Sequence, residues 1–367
     1  MKPPTAAVNT GGTRMHTDMG YVCARLRARA QRLLAAPALE ALRGLPTLAE
    51  LFSALLPTEY GPSLKTRVLD VNALGEWEAA FTATFARRVS QVRAWIDATV
   101  PAYAYLVDGE WDVHHLRALV RRLDQPGTER AVGPEFVPLG AMTRERYDTA
   151  LAAQSPAELC TLLQPWLPAW SACLRSFLEP PRQPPLGWRE IELQLDDEHF
   201  RRLARCARRL GRWDDAAILR RYVALLIDLT NVRTALRFLG RHLPQDQVFR
   251  FYVPGGTLTG AEFVALLAAD SNEGICRRLP RGALRAAVGQ GLARAASTGR
   301  VSAFERWGDE RLLQLTQRLA RQCPVSVATP LFYLTRARNE WINLKLIACG
   351  IRYRLAADRL REGLVYV

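Results

Sequence analysis

The chain contains nearly the same stretch twice. FVPLGAMTRERYDTALAAQSPAELCTLL occupies 136–163, and YVPGGTLTGAEFVALLAADSNEGICRRL occupies 252–279, 116 residues further on. Aligned without a gap, 10 of the 28 positions are identical, among them Val137/Val253, Pro138/Pro254, Gly140/Gly256, Thr143/Thr259, Ser155/Ser271 and Cys160/Cys276. A chain rich in Ala, Leu and Arg matches itself by accident at roughly two or three positions in such a window, so this is an internal repeat. A repeat constrains the fold more than any local motif, because its copies must bury equivalent faces against equivalent neighbours.

The repeat extends upstream. DVHHLRALVRRL (112–123) and DLTNVRTALRFL (228–239) are again 116 apart, and EWINLKL (340–346) follows 112 residues after the second. The shared form is an acid, two residues, His or Asn, an apolar residue, then Arg or Lys. TLAELFSAL (47–55) matches SPAELCTLL (155–163) at a spacing of 108. Triplication follows, and the sequence divides into a loose tail (1–19) and three units, 20–131, 132–248 and 249–367. At 367 residues the chain has room for two or three domains.

Helical periodicity dominates. From Glu76 to Val100, Trp77, Phe81, Phe85, Val89, Val92 and Ile96 recur at spacings of three and four. Thr47 with Glu50 forms a capping-box pattern after the break at Gly44-Leu45-Pro46. Phe200–Leu239 is expected to hold two helices split near Gly211, and 310–321 and 331–349 two more. Strand-like alternation is scarce, and EPPRQPPLGWRE (179–190) is a linker whose prolines forbid a regular helix. The expected class is all-α, three similar helical bundles.

On a helix, positions i and i+3 share a face. Asp112 with His115, Asp228 with Asn231, and Glu340 with Asn343 therefore project together, while Arg117, Arg233 and Lys345 at i+5 turn about 140° away from the acid. A polar pair recurring once per unit is expected to be a hydrogen-bonded clasp between helices of the same unit. Arg117/Arg121 and Arg233/Arg237 are i, i+4 pairs; in the third unit Lys345 is followed by Cys349. These cations either line an inward surface that meets an acidic partner or form a solvated face with local salt bridges.

Other features read as structure. Pro254-Gly255-Gly256-Thr257 lacks the lysine and spacing of a phosphate-binding P-loop and leads to an N-cap, Thr259, as its sister leads to Thr143. His114 and His115 point about 100° apart and have no further ligand at helical spacing. Asp196-Asp197-Glu198 is expected at a helix start favoured by the macrodipole. Arg201, Arg202, Arg205, Arg208, Arg209 and Arg212 are expected on a solvated face near a helix end. Seven cysteines without a CxxC pair exclude a disulfide or zinc framework. No catalytic, cofactor-binding or metal constellation is legible. No apolar run approaches the ~20 residues of a membrane span, and the N-terminus lacks a signal-peptide core. The net charge is +14, with only three lysines among 50 basic residues. The arginines are spread and interleaved with acids, which is not the concentrated footprint of a nucleic-acid site. A basic helical-repeat scaffold on nucleic acid is nonetheless the alternative reading.

YVCARLRARAQRLL (21–34), LAELFSALLPTEYG (48–61), the two Asp-x-x-His/Asn helices, YVPGG (252–256), and PLFYLTRARNEWINLKLIACGIRYRL (330–355) with LREGLVYV (360–367) together resemble the C subunit of the A/V-type ATPases, known as the d subunit in the eukaryotic V-ATPases. The resemblance covers nearly the whole chain from Tyr21; His114-His115 stands where Asn is commoner, and Cys349 and Ile351 depart from the usual tail. It implies a funnel-shaped, all-helical protein of three pseudo-threefold-related domains. It also implies a non-catalytic, nucleotide-free member of the central stalk, peripheral on the cytoplasmic face of the membrane. Such a protein receives the D and F shaft subunits in a socket and passes torque to the rotor ring.

Overall fold

The computed structural model describes residues 19–96, 101–124, 136–178, 188–208, 213–240 and 248–366. Most of the N-terminal tail, most of the proline-rich linker, and Arg209, Gly211 and Arg212 lie outside these. Among the described residues there is no strand. Short helices alternate with long pairs. The short ones come first: α1 (Met19–Ala30), α2 (Ala36–Arg43), α3 (Leu48–Leu55) and α4 (Gly61–Arg67). The first long pair is α5 (Leu74–Trp95) and α6 (Pro101–Asp124). Then come α7 (Arg144–Leu151), α8 (Pro156–Leu163), α9 (Pro168–Leu178), and the second long pair, α10 (Trp188–Arg208) and α11 (Trp213–Arg237). A 3-10 turn (Phe249–Phe251) leads to α12 (Gly260–Leu267), α13 (Asn272–Arg278) and α14 (Ala283–Thr298). The third long pair, α15 (Val301–Gln322) and α16 (Ala328–Arg352), is followed by α17 (Ala357–Gly363).

The long helices have 21 to 25 residues, about 32–38 Å at 1.5 Å per residue. The repeated stretch sets the short helices by repeated caps. Thr143 and Thr259 accept hydrogen bonds from the amides of Arg146 and Glu262. Ser155 and Ser271 cap the next helices in the same way, as Thr47 caps α3. Each cap satisfies an amide that the helix leaves without a partner, worth about 1 kcal/mol.

Three apolar clusters dominate the interior, and the sequence units run across them. The first joins Val22–Ile96 to Val327–Leu364, so the two ends of the chain share one core. The second runs from Val113 to Leu195 and the third from Leu229 to Leu312. Each takes the second long helix of one unit together with the short helices of the next. Thus α6 packs on α7 and α10, α11 on α12 and α15, and α16 on α2, α3 and α5. The third contact repeats the first two, although its partners come from opposite ends of the chain. Aromatic rings fix that seam: Phe85 of α5 stacks on Trp341 of α16 at 5.0 Å, and Trp111 of α6 meets both edge-on.

One local expectation changes. Asp196-Asp197-Glu198 does not start a helix, because α10 begins at Trp188 and the triplet lies mid-helix. Its role is pairing: Asp197 holds Arg201, and Glu198 holds both Arg202 and Arg205. Arg201 and Arg202 are matched one turn earlier along their own helix, an arrangement the i, i+4 geometry permits, and Arg205 two turns earlier.

Candidate functional site

The repeated polar pair binds a loop, where a contact between helices was expected. Asn231 is wholly buried; its amide donates to the carbonyl of Val253 at 2.9 Å, and its oxygen accepts from the Val253 amide at 3.0 Å. Asn343 does the same with Val365, 22 residues on as before, at 2.7 and 3.1 Å. A carboxamide offers a donor and an acceptor side by side, which matches one residue's backbone N–H and C=O. An imidazole does not. His115 faces the backbone of Val137, the equivalent residue, yet neither ring nitrogen makes a well-formed hydrogen bond among the described residues. The ring stacks on Phe136 at 5.0 Å and 18° instead. Burial, with neighbouring His114, drops its pKa to about 4.

The acid three residues earlier holds the next part of the same loop. Asp228 accepts from the Thr257 amide (2.8 Å), the Thr257 hydroxyl (2.6 Å) and the Leu258 amide (3.1 Å). Among the described residues Asp112 accepts from the amide of Ala141 at 2.8 Å alone, and alanine supplies no hydroxyl. Burial raises both carboxyls, Asp112 to about 6. A Cβ on Gly256 would stand 2.2 Å from Asp228 Oδ1, and one on Gly140 2.4 Å from Asp112 Oδ1. The Gly of the Val-Pro-x-Gly element is therefore required by the carboxylate beneath it.

Glu340 is held differently from Asp112 and Asp228. Its carboxylate takes partners from the other end of the chain: the Leu34 amide at 2.5 Å, the Tyr60 hydroxyl at 2.7 Å and Arg88 at 2.7 Å. Arg88 and Glu340 are 1% and 2% exposed, and Arg88 also reaches Glu59 at 3.0 Å. A buried ionic cluster thus closes the third interface, where the first two use loops.

The cations at i+5 and beyond pair with acids on neighbouring long helices. Arg117 and Arg121 of α6 pair with Asp196 and Glu192 of α10. On α11, Arg233 lies 3.5 Å from Asp196, and Arg237 reaches Glu305 of α15 at 2.8 Å. Lys345 of α16 returns to Glu78 of α5 at 3.7 Å. The order of partners is head to tail, and the last member meets the first.

The members on α6, α10, α11 and α15 border a hollow. Three adjoining cavities of about 80, 250 and 690 Å³ share lining residues, from Phe85 and Leu331 through Tyr222 and His199 to the mouth at Arg117, Arg121, Arg233 and Arg237. Five arginines line them (117, 121, 233, 237 and 338), with six carboxylates (Glu110, Glu190, Glu192, Asp196, Glu305 and Asp309). The four arginines singled out in the sequence share one cleft, and each has an acid beside it. The lining therefore carries no cationic excess. Arg338 faces Glu110 across the hollow at 3.6 Å, and that carboxylate, outweighing burial, raises its pKa. Burial, with Arg233 close by, lowers Arg117 to about 10, so it stays charged at neutral pH. Burial also drops His199 to about 3, which keeps it neutral. Sequence reasoning missed Glu192, Asp196 as a shared partner, Glu305 and Asp309. The signal lay in the near-regular spacing of Glu78, Glu192 and Glu305 on the first helix of each long pair.

Among the described residues no group of His, Cys, Asp and Glu is arranged to hold a metal ion, and no helix is long and apolar enough to cross a membrane. The model of the ATP synthase (C/AC39) subunit family matches residues 22–363. The A-type ATP synthase C subunit of Pyrococcus abyssi is 24% identical over 352 residues, covering 95% of this chain and 90% of the relative. The V-type ATP synthase C subunit of Thermus thermophilus is 25% identical over 356 residues, covering 96% and 99%. The A-type ATP synthase C subunit of Desulfurococcus sp. is 25% identical over 356 residues, covering 95% and 90%. With its three long helix pairs, its repeated clasps and a match that runs almost end to end, the chain belongs to the ATP synthase (C/AC39) subunit family.

Proposed function

We propose that this protein is the non-catalytic central-stalk subunit of an A/V-type rotary ATPase, and that its central hollow is the socket for the foot of the shaft, formed by the D and F subunits. In this reading the three units 20–131, 132–248 and 249–367 are related by a pseudo-threefold axis along the hollow. The body is a funnel standing on the membrane rotor ring, peripheral on the cytoplasmic face. The carrying observation is the head-to-tail order of contacts, α6 to α10, α11 to α15 and α16 to α5, around a polar cavity. A ring of helix pairs closed on itself resists twisting, because a load on one interface is shared by the other two. Torque transfer asks for that stiffness and for shape, and for no reactive group.

The cleft's balanced charge argues for a mixed polar contact with the shaft over attraction to an acidic one. It also argues against the nucleic-acid reading, which needs a concentrated cationic surface. The test is reconstitution. Complexes assembled without this protein should hydrolyse ATP yet fail to couple hydrolysis to ion movement, and adding it should restore coupling. Arg117→Glu with Arg233→Glu should weaken binding of the shaft while leaving the helical CD spectrum intact. Unchanged coupling in its absence would end the proposal. So would a steep salt-dependent affinity for DNA or RNA at physiological salt with none for the shaft.

A further inference from the structure

A second hollow shares no lining residue with the central one. It lies between α1, α15 and α16, with a volume of about 290 Å³. Leu26, Ala30, Ala320, Phe332 and the buried ring of Tyr333 supply its apolar surface. Its charged residues are Arg27, Arg321 and Arg336, and no carboxylate lines it. In the central cleft every arginine stands beside an acid; here none does among the described residues. Arg27 spends one donor on the Pro324 carbonyl at 2.7 Å and Arg336 one on the Ala30 carbonyl at 3.3 Å. A guanidinium has five N–H donors, so most of this hydrogen-bonding capacity is unspent. The carboxylate of Asp215 does not line the groove; it is 1% exposed and accepts from the Val327 amide.

We propose that this groove docks an acidic, amphipathic segment of a partner protein. Three unmatched cations beside a floor of aliphatic and aromatic carbon fit carboxylates flanked by apolar side chains. The volume is below the ~300–1,000 Å³ typical of small-molecule sites, which suits a few side chains of a longer segment. The proposal does not rest on the socket reading, because it concerns different residues.

The test uses the isolated full chain and a fluorescent helical peptide of Glu and Leu, with the Leu residues at i, i+3, i+4 spacing, read by anisotropy at low and physiological salt. The wild type should bind it. Arg321→Glu should weaken binding at least about tenfold, a difference of about 1.4 kcal/mol, and Arg321→Glu with Arg336→Glu should weaken it further. Arg321 is exposed and makes no groove hydrogen bond among the described residues, so its single variant keeps the test sharp if the Arg336 variant fails to fold. Arg237→Glu in the central cleft should leave peptide binding unchanged. The proposal is overturned if the wild type does not bind, if a Lys-for-Glu peptide binds equally, or if the Arg237 variant loses as much. It is also overturned if pyrophosphate displaces the peptide at equal concentration, which would mark a small-anion site, or if the chain prefers anionic vesicles to the peptide.

Discussion

Replacing Asp228 with alanine tests whether the loop is held by the acid beneath it. The side chain accepts three hydrogen bonds, from two backbone amides and one hydroxyl. The Leu258 amide is buried, and nothing else among the described residues is placed to take it; the Thr257 groups are half-buried and recover part of their loss to water. An unsatisfied buried amide costs about 1–3 kcal/mol, and each partly hydrated group about 0.5–1.5, so Asp228→Ala should cost about 2–6 kcal/mol. Asp228→Asn keeps an acceptor for both amides and should lose only about 1 kcal/mol. Asp112→Ala, which forfeits one bond, should fall between the two. The assay is chemical denaturation by far-UV CD, paired with hydrogen exchange of residues 252–267, because a protein with several cores need not unfold in one step. Protection at Thr257 and Leu258 should drop in Asp228→Ala and persist in Asp228→Asn. A double-mutant cycle sharpens the argument. Gly256→Ala drives a methyl to 2.2 Å from Asp228 Oδ1, so its cost should shrink when Asp228 is already alanine; contacting residues are coupled in this way. Additive costs, or wild-type exchange rates at Thr257 and Leu258 in Asp228→Ala, would refute the clasp.

Three further outcomes follow. Arg88→Met strands the Glu340 carboxylate in a site 2% exposed and should cost about 3–5 kcal/mol, with α1–α4 becoming protease-sensitive first; an unchanged denaturation midpoint would count against an ionic seam. In the first clasp, burial holds Asp112 at about 6 against an ordinary 3.8, so the folded state keeps a proton that the unfolded chain releases, and stability falls by up to about 3 kcal/mol as pH rises from 4 to 6. His115, at about 4 against 6.5, acts in the opposite sense, adding up to about 3 kcal/mol as pH rises from 4 to 6.5. The two nearly cancel in the wild type, so Asp112→Asn should gain stability with rising pH and His115→Asn should lose it, and parallel pH–melting profiles would contradict the assignment. Arg237→Ala removes a pair whose side chains are 53% and 35% exposed, so it should change stability by no more than about 1 kcal/mol while weakening shaft binding; a large fall in melting temperature would mean the pair holds the fold.

Much of this was written along the chain. Helical period, the caps at Thr47, Thr143 and Thr259, and the repeated stretch at 136–163 and 252–279 are local or periodic, and a sequence displays local and periodic order directly. The recurrence of acid, His or Asn, and cation also marked the residues that matter, because each copy had to repeat the same packing problem. What the sequence could not supply was the far partner. Nothing local says that Asn231 would grip Val253 and that Glu340 would reach Leu34, Tyr60 and Arg88 some 250 to 300 residues away. The sign of the central cleft was equally hidden. Arg117, Arg121, Arg233 and Arg237 are basic as a string, but folding sets Asp196, Glu192 and Glu305 beside them. A charge's character depends on its neighbours in space, and those of Arg117, Arg121 and Arg237 come from the next long pair, about 70 to 80 residues on, while Arg233 meets Asp196 on the other helix of its own pair. The chain by itself determined that it is helical and that it carries repeated stretches. Only the tertiary structure decided that α16 packs on α2, α3 and α5, because contacts between residues 250 or more apart leave no mark in any local or periodic pattern.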